Sequence, residues 1–287
     1  MTPKAIPVAI SYVLLSALGF AMMSVCVKTV AGYGIPILEI IAARASVSLL
    51  LSYLDVKRKR LSVWGHNHSL LVARGAVGTL ALVCIYYAVS TLPLADATVF
   101  QYTHPAFTAI LALDFLGESV KRSTVLCIVL SFVGLIIMVR PGASGAILGL
   151  PPLSVMAALL GAFGSAVAYV LVRRLSQTED SSVIIFYFPL IALPISLVLL
   201  GNNFVVPDFN ALLLLLLVGV STQVGQVGLT KAMAVEAASK VTSYSYIQVI
   251  LSAILGLVFF AELPTLWTLI GGTLIISGAL VNALWKA

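Results

Sequence analysis

Ten stretches of about 20 mainly apolar residues run almost end to end through this chain, and about 20 is the length a helix needs to cross a bilayer. The pattern predicts spans at 6–28, 34–54, 70–90, 94–114, 122–140, 153–173, 182–200, 210–230, 238–260 and 265–284. Between them lie short breaks rich in Gly, Pro and charge, such as AGYGIP, DVKRKRLSVWGHNH, TLPLAD, RPGASGAILGLPP and GNNFVVPDFN. None is long enough to fold as a soluble domain. Backbone polar groups in hydrocarbon must be satisfied inside each segment, so the expected fold class is an all-α integral membrane protein of ten helices. The charge content agrees. Only 9% of the 287 residues are charged, against about 25% in a soluble domain. No solvated shell can be built from so few.

The net charge of +6 does not point to nucleic acid, because the basic residues are spread between apolar runs. Lys4, Lys57–Arg60, Lys121, Arg122, Arg173, Arg174 and Lys286 fall on one side if both termini share it. The other side has only Lys28 and Arg140 near its surface. The excess of Lys and Arg then places both termini in the cytoplasm. The first apolar stretch continues a small-residue pattern through Ser16, Gly19 and Ser24 and is read as a retained span rather than a leader. Cys26, Cys84 and Cys127 sit inside apolar runs without metal-ligand spacing. No Rossmann glycine motif or phosphate loop occurs, so no cofactor is expected and ATP-driven transport by this chain alone is disfavoured.

The chain resembles itself at an offset of about 144 residues. FLGE at 115–118 aligns with FFAE at 259–262, Tyr102 with Tyr246, Ala88 with Ala232 and Gly134 with Gly278. LLSALG near residue 14 aligns with LLGAFG at 159. Residues 1–144 are thus expected to form one five-helix repeat and 145–287 a second. Five is odd, so the second copy enters the membrane from the opposite side. Inverted repeats are the framework of alternating-access carriers.

A polar stripe interrupts the fourth span. Gln101, His104 and Thr108 share one side of a helix. Shifted by 144 they become Ser245, Gln248 and Ser252 in span nine. Polar groups facing lipid are expensive, so the two stripes either line a central cavity or bond to each other as interhelical glue. Thr79 and Tyr86 in span three have the mates Gln223 and Thr230. Tyr169 lies in span six, and Tyr102 and Phe100 have the mates Tyr246 and Tyr244. Aromatic rings beside amides suit an amphipathic small molecule; each tyrosine taken singly fits a core role as well. The candidate substrate-binding set is therefore Thr79, Tyr86, Gln101, Tyr102, His104, Tyr169, Gln223, Tyr244, Ser245, Tyr246 and Gln248.

Arg44 joins this set as a candidate carboxylate or anion contact, against a structural role. Glu39, five residues away, is poorly spaced to pair with it on a helix. Arg74 and Asp114 near span ends read as snorkelling or cross-helix pairing. Glu118 and Glu262 read as anchors for the following helices, and Asp96 and Lys240 as local gate groups at opposite faces. His104 is a candidate proton carrier. Its mate is Gln248, so no mirrored relay exists. Pro105 is expected to bend span four near its centre. Isolated acids without clustering argue against a membrane-embedded enzyme, and a channel would need a continuous wet pore.

The paired units, YYAVSTLPLADATVFQYTHPAFTAILALDFLGES and TKAMAVEAASKVTSYSYIQVILSAILGLVFFAELP, resemble the drug/metabolite transporter superfamily, EamA group, along nearly the whole chain. The second unit lacks the equivalents of Pro93 and Pro105. This resemblance implies a basket of ten helices, alternating access and a bacterial inner membrane. It also implies a transporter rather than an enzyme, working as a monomer on a small molecule, with protons as a possible partner. YddG-type members export aromatic amino acids and related metabolites; others carry nucleotide-like or sulfonium metabolites such as S-adenosylmethionine. The expected function is export of neutral or aromatic amino acids, with uptake or exchange of a nucleotide-like metabolite as the alternative.

Overall fold

The computed structural model describes residues 8–116, 122–139, 150–236, 238, 241–242, 245 and 247–284. It is built of helices: α1 (Val8–Gly32), α2 (Ile37–Arg58), α3 (His68–Thr91), α4 (Leu94–Gln101), α5 (His104–Leu116), α6 (Arg122–Val139), α7 (Pro152–Leu175), α8 (Ser181–Leu200), α9 (Phe209–Val235), α10 (Ile247–Phe260) and α11 (Leu266–Leu284). Among the described residues, six helices are long and apolar enough to cross a membrane: α1, α2, α3, α7, α8 and α9. Ile247–Phe260 and Leu266–Gly278 are shorter apolar helices. The molecule's outer surface is studded with exposed Leu, Val, Ile and Phe, including Leu54, Leu80, Leu160, Val198 and Leu212, as a lipid-facing surface requires. This is an integral membrane protein.

The fourth expected span is two helices rather than one bent helix. α4 ends at Gln101, and Tyr102 caps it through its backbone N–H to the Thr98 carbonyl, 2.9 Å. α5 starts two residues on, at His104. Pro105 has no N–H to give the Gln101 carbonyl, so the α4 ladder cannot continue through it. The Thr103 hydroxyl turns back to the Phe100 carbonyl at 2.8 Å and helps close the break.

The dominant helix pairings join the two halves of the chain. α1 packs on α9, α3 on α7, α2 on α8, and α6 on α11, while α10 packs on α1 and α4. Small residues make these crossings tight. A Cβ placed on Gly19 would sit 2.6 Å from the Gly225 backbone nitrogen, and one on Gly164 would sit 2.8 Å from the Ala81 Cβ. Association inside lipid depends on such close backbone approach.

Two apolar clusters lie toward opposite ends. One gathers Val27, Ile40, Ile41, Val89, Leu94 and Phe100, and the other Val13, Val56, Leu71, Leu175, Ile184 and Met233. Polar ties between the halves reinforce each end. At the first, the Lys28 ammonium meets the Glu262 carboxylate and donates to the Leu92 carbonyl at 2.9 Å. The second Glu262 oxygen accepts the Leu94 backbone N–H at 2.8 Å. Glu262 thus holds the N-terminus of α4 rather than the helix that follows it. At the other end Lys59 pairs with Asp180 at 2.9 Å, the Ser182 hydroxyl donates to Asp55, and the Tyr187 hydroxyl donates to the Trp64 carbonyl at 2.7 Å.

Glu179, whose side chain is only 2% exposed, is the most thoroughly bound acid at that end. Its carboxylate accepts the backbone N–H groups of His66 at 2.6 Å and Asn67 at 2.7 Å, beside the N-terminus of α3. Burial works to raise its pKa. The Asn67 and His66 N–H groups, with the His66 ring 3.4 Å away, outweigh that and hold it below the usual carboxylate value.

Candidate functional site

Between the two apolar ends lies a cavity lined from both halves of the chain. Its walls follow helical spacing: Ser16, Phe20 and Met23 on α1; Arg74, Gly78, Ala81, Leu82 and Ile85 on α3; Ser165, Ala168 and Tyr169 on α7. α2 supplies Arg44, α8 Phe188, and α9 Gln226 and Leu229. The α4–α5 break supplies Gln101, Tyr102 and His104, and Ser245 and Gln248 face them from the second half.

Gln101 and His104 of the first polar stripe and Ser245 and Gln248 of the second line this cavity, and Tyr102 beside the first touches the second. The Tyr102 hydroxyl donates to Gln248 Oε1 at 2.7 Å, so cavity wall and interhelical glue are the same residues here. The Tyr102, His104 and Tyr169 rings stand in a row. Centroids are 5.1 Å apart for Tyr102–His104 and 5.0 Å for His104–Tyr169, the second pair edge to face. His104 is 2% exposed, and its Nδ1 has no hydrogen-bond partner. The outer members of the stripes leave the wall. The Thr108 hydroxyl donates back to the His104 carbonyl at 2.8 Å, and Ser252 is fully buried away from the cavity.

Three expected contact residues lie off the cavity wall. The Thr79 hydroxyl donates to the Gly75 carbonyl of its own helix at 2.8 Å. Tyr86 is fully buried, with the Arg44 guanidinium carbon 5.7 Å from its ring centroid. Gln223 is half-buried and does not line the cavity, whereas Gln226 does. Tyr244, Tyr246, Glu118 and Lys240, and the side chain of Asp114, lie outside the described residues. Asp96 is tied into a helix contact, accepting from the Thr268 hydroxyl at 2.5 Å.

Arginine dominates the electrostatics. Arg44 and Arg74 both line the cavity, and both are buried. Arg44 does not pair with Glu39, whose Oε2 accepts the Val205 backbone N–H at 2.9 Å. Arg74 does not snorkel; its Nη2 donates to Gln226 Oε1 at 3.3 Å. Both guanidiniums lie against one ring, with Arg44 at 4.9 Å and Arg74 at 4.6 Å from the Phe188 centroid. Two like charges within about 10 Å repel by roughly 2 kcal/mol at an effective dielectric constant of about 20. Cation–π contact with Phe188 offsets part of that. Phe188 directly precedes Pro189 inside α8, a position with no polar signal in the sequence. Among the described residues no cluster of His, Cys, Asp and Glu could hold a metal ion.

The comparisons with known proteins agree with this architecture. The model of the EamA-like transporter family matches residues 7–140 and again 152–284. The pseudopaline exporter CntI of Pseudomonas aeruginosa PAO1 is 32% identical over 263 residues, covering 91% of each chain. Human solute carrier family 35 member G1 is 30% identical over 95% of this chain and 77% of its own. An S-adenosylmethionine uptake transporter of Rickettsia bellii is 27% identical over 73% of this chain and 70% of its own. One crystal structure superposes with a TM-score of 0.71 over 96% of both chains at 18% identity, and so shares the fold. The chain is a transporter, not an enzyme, and it belongs to the EamA-like transporter family.

Proposed function

We propose that this protein is a secondary exporter of neutral or aromatic amino acids and related carboxylate-bearing metabolites, working by alternating access. The observation that carries the reading is the central cavity. It combines aromatic rings, amides and guanidiniums drawn from both halves and sits between two apolar ends. A carboxylate would meet Arg44 or Arg74, an α-amine the Gln101, Tyr102 and Gln248 group, and an apolar side chain the Tyr169–Leu229 wall. The apolar clusters and polar ties at each end would open in turn, while the cavity stays shared.

The pairing of residues across the offset supports two oppositely inserted repeats. Gly75 meets Ile191 of α8, and its mate Gly219 meets Val47 of α2, which is the mate of Ile191. Gly19 meets Gly225, and their mates Gly164 and Ala81 meet each other. A pseudo-twofold relation produces such reciprocal contacts, and the double match to the family model is consistent with it. With the basic loops cytoplasmic, the Lys59–Asp180 end faces the cytoplasm and the Lys28–Glu262 end the outside. The alternative, uptake of a sulfonium compound, has a named relative in its favour. Two unneutralised guanidiniums in the cavity weigh against a cationic substrate.

Purified protein in liposomes, assayed with a labelled amino-acid panel with and without an imposed pH gradient, tests the reading. Counterflow of phenylalanine or a related amino acid that is abolished in Gln248→Ala is the expected result. Absence of flux across the whole panel, with the protein folded and oriented, would overturn it. A pH gradient that drives flux in wild type but not in His104→Gln would identify His104 as the proton site.

A further inference from the structure

Arg44 and Arg74 come from different helices of the first half, and Phe188 comes from the second, yet all three meet at one point in the middle of the molecule. The arginines are 2% and 3% exposed. In both, Nε and Nη1 lack a hydrogen-bond partner. Neither arginine forms an ion pair among the described residues, and the described cavity wall contains no Asp or Glu. The wall is otherwise uncharged apart from what His104 would add if protonated.

Two fixed positive charges without a counter-charge are a costly arrangement inside a membrane protein. Helix packing here does not rest on them alone. α2 and α8 already pack along their lengths, and leucines of similar volume would hold the same helices without the repulsion. What the arrangement does provide is donor capacity without a protein partner, on two residues that line the cavity. A guanidinium presents a planar fork matched to a carboxylate. Two forks, 4.9 Å and 4.6 Å from one ring centroid, present two such seats beside an apolar surface.

We propose that Arg44 and Arg74 form a two-point carboxylate clamp, and that the preferred cargo carries two carboxylates on a short apolar or aromatic frame. The clamp deepens the transporter reading of the cavity and rests on it. One carboxylate docks on each guanidinium, and the frame lies along Phe188 toward the Tyr169–His104 wall. Within the class of amino acids and related metabolites, the clamp selects for the second acid group. A zwitterion with one carboxylate leaves one arginine unneutralised and binds more weakly. A cation is excluded by both.

The test is equilibrium binding to the full-length protein in neutral detergent, read as the ligand-induced rise in thermal unfolding temperature, which follows the dissociation constant by mass action. The probes are 2-phenylsuccinate, 3-phenylpropanoate, which lacks one carboxylate, and inorganic phosphate. For wild type, phenylsuccinate should bind at least 10-fold tighter than phenylpropanoate, and phosphate should give no comparable shift. Arg44→Gln and Arg74→Gln should each weaken phenylsuccinate by 10-fold or more, and the double variant should lose the preference. Arg74→Lys, which keeps the charge but not the fork, should retain the preference at reduced affinity.

Without ligand, either Gln variant should melt at or above the wild-type temperature, because a repulsion has been removed. Equal binding of the two organic acids, or a preference that survives the double variant, would overturn the clamp. So would phosphate matching phenylsuccinate, or Gln variants that fail to fold, since the pair would then be a generic anion site or architecture. No translocation is needed for this readout. A protein that binds the dianion but moves nothing contradicts the carrier reading alone; one that moves amino acids without the preference contradicts the clamp alone.

Discussion

At the scale of single residues, Tyr102 and Gln248 join the two halves where the cavity is lined. Tyr102→Phe removes the 2.7 Å donor and leaves a buried amide oxygen short of a partner, a loss of about 1 kcal/mol. The expected phenotype is near-normal expression with KM raised several-fold in the liposome assay. Glu179 gives a pH-dependent counterpart. Its folded-state pKa lies below the ordinary 4.5, so its contribution to stability is complete at neutral pH and is lost as pH falls through the folded value. The gap in unfolding temperature between wild type and Glu179→Gln should be widest near pH 7 and close below pH about 4.5. A gap independent of pH would mean the charge contributes nothing. Polar residues at i, i+3 and i+7 inside an apolar run were legible as cavity candidates, because lipid rarely tolerates them. Phe188 was not, because an apolar ring in an apolar helix has no local signature of what it touches.

At the scale of elements, the α1–α9 crossing is set by glycine. Gly19→Ala would push a methyl to 2.6 Å from backbone of α9, which no side-chain rotation can relieve. A loss of about 1–3 kcal/mol is expected, as for an overpacked core. Gly32→Ala in the same helix meets nothing within 4 Å and should stay within about 0.5 kcal/mol of wild type. Comparing the two by thermal unfolding in detergent separates a packing effect from a general cost of losing glycine. The element edges show the same division between sequence and structure. Pro105 marks an interruption in any helix, and the sequence located it. Whether the chain bends or breaks there depends on the neighbours available to satisfy the freed carbonyls, and the α4–α5 break is decided by Tyr102 and Thr103 turning back on α4.

At the scale of the whole molecule, a lysine–carboxylate pair ties the two halves of the chain together toward each end. Lys28 and Glu262 tie one end, and Lys59 and Asp180 the other. In a background lacking Cys26, Cys84 and Cys127, a single Ser165→Cys would report cavity access to a membrane-impermeant maleimide. Glu262→Gln should speed labelling several-fold from one side of oriented vesicles only, and Asp180→Asn from the opposite side only. Acceleration from the same side in both would contradict an arrangement with one closure at each end.

The amino-acid sequence by itself determined that this chain lives in a membrane, because so few charges cannot clothe a soluble surface. It also determined roughly where the helices run and that the chain matches itself at an offset of about 144 residues, since span length and polar spacing are local properties. Tertiary structure alone decided which face of each helix looks inward. In a lipid-embedded bundle both the outer surface and the core are apolar, so periodicity cannot distinguish them. That is why Thr79 and Gln223 turn away from the cavity while Arg74, Phe188 and Gln226 turn into it, and why two arginines 30 residues apart come to share one ring.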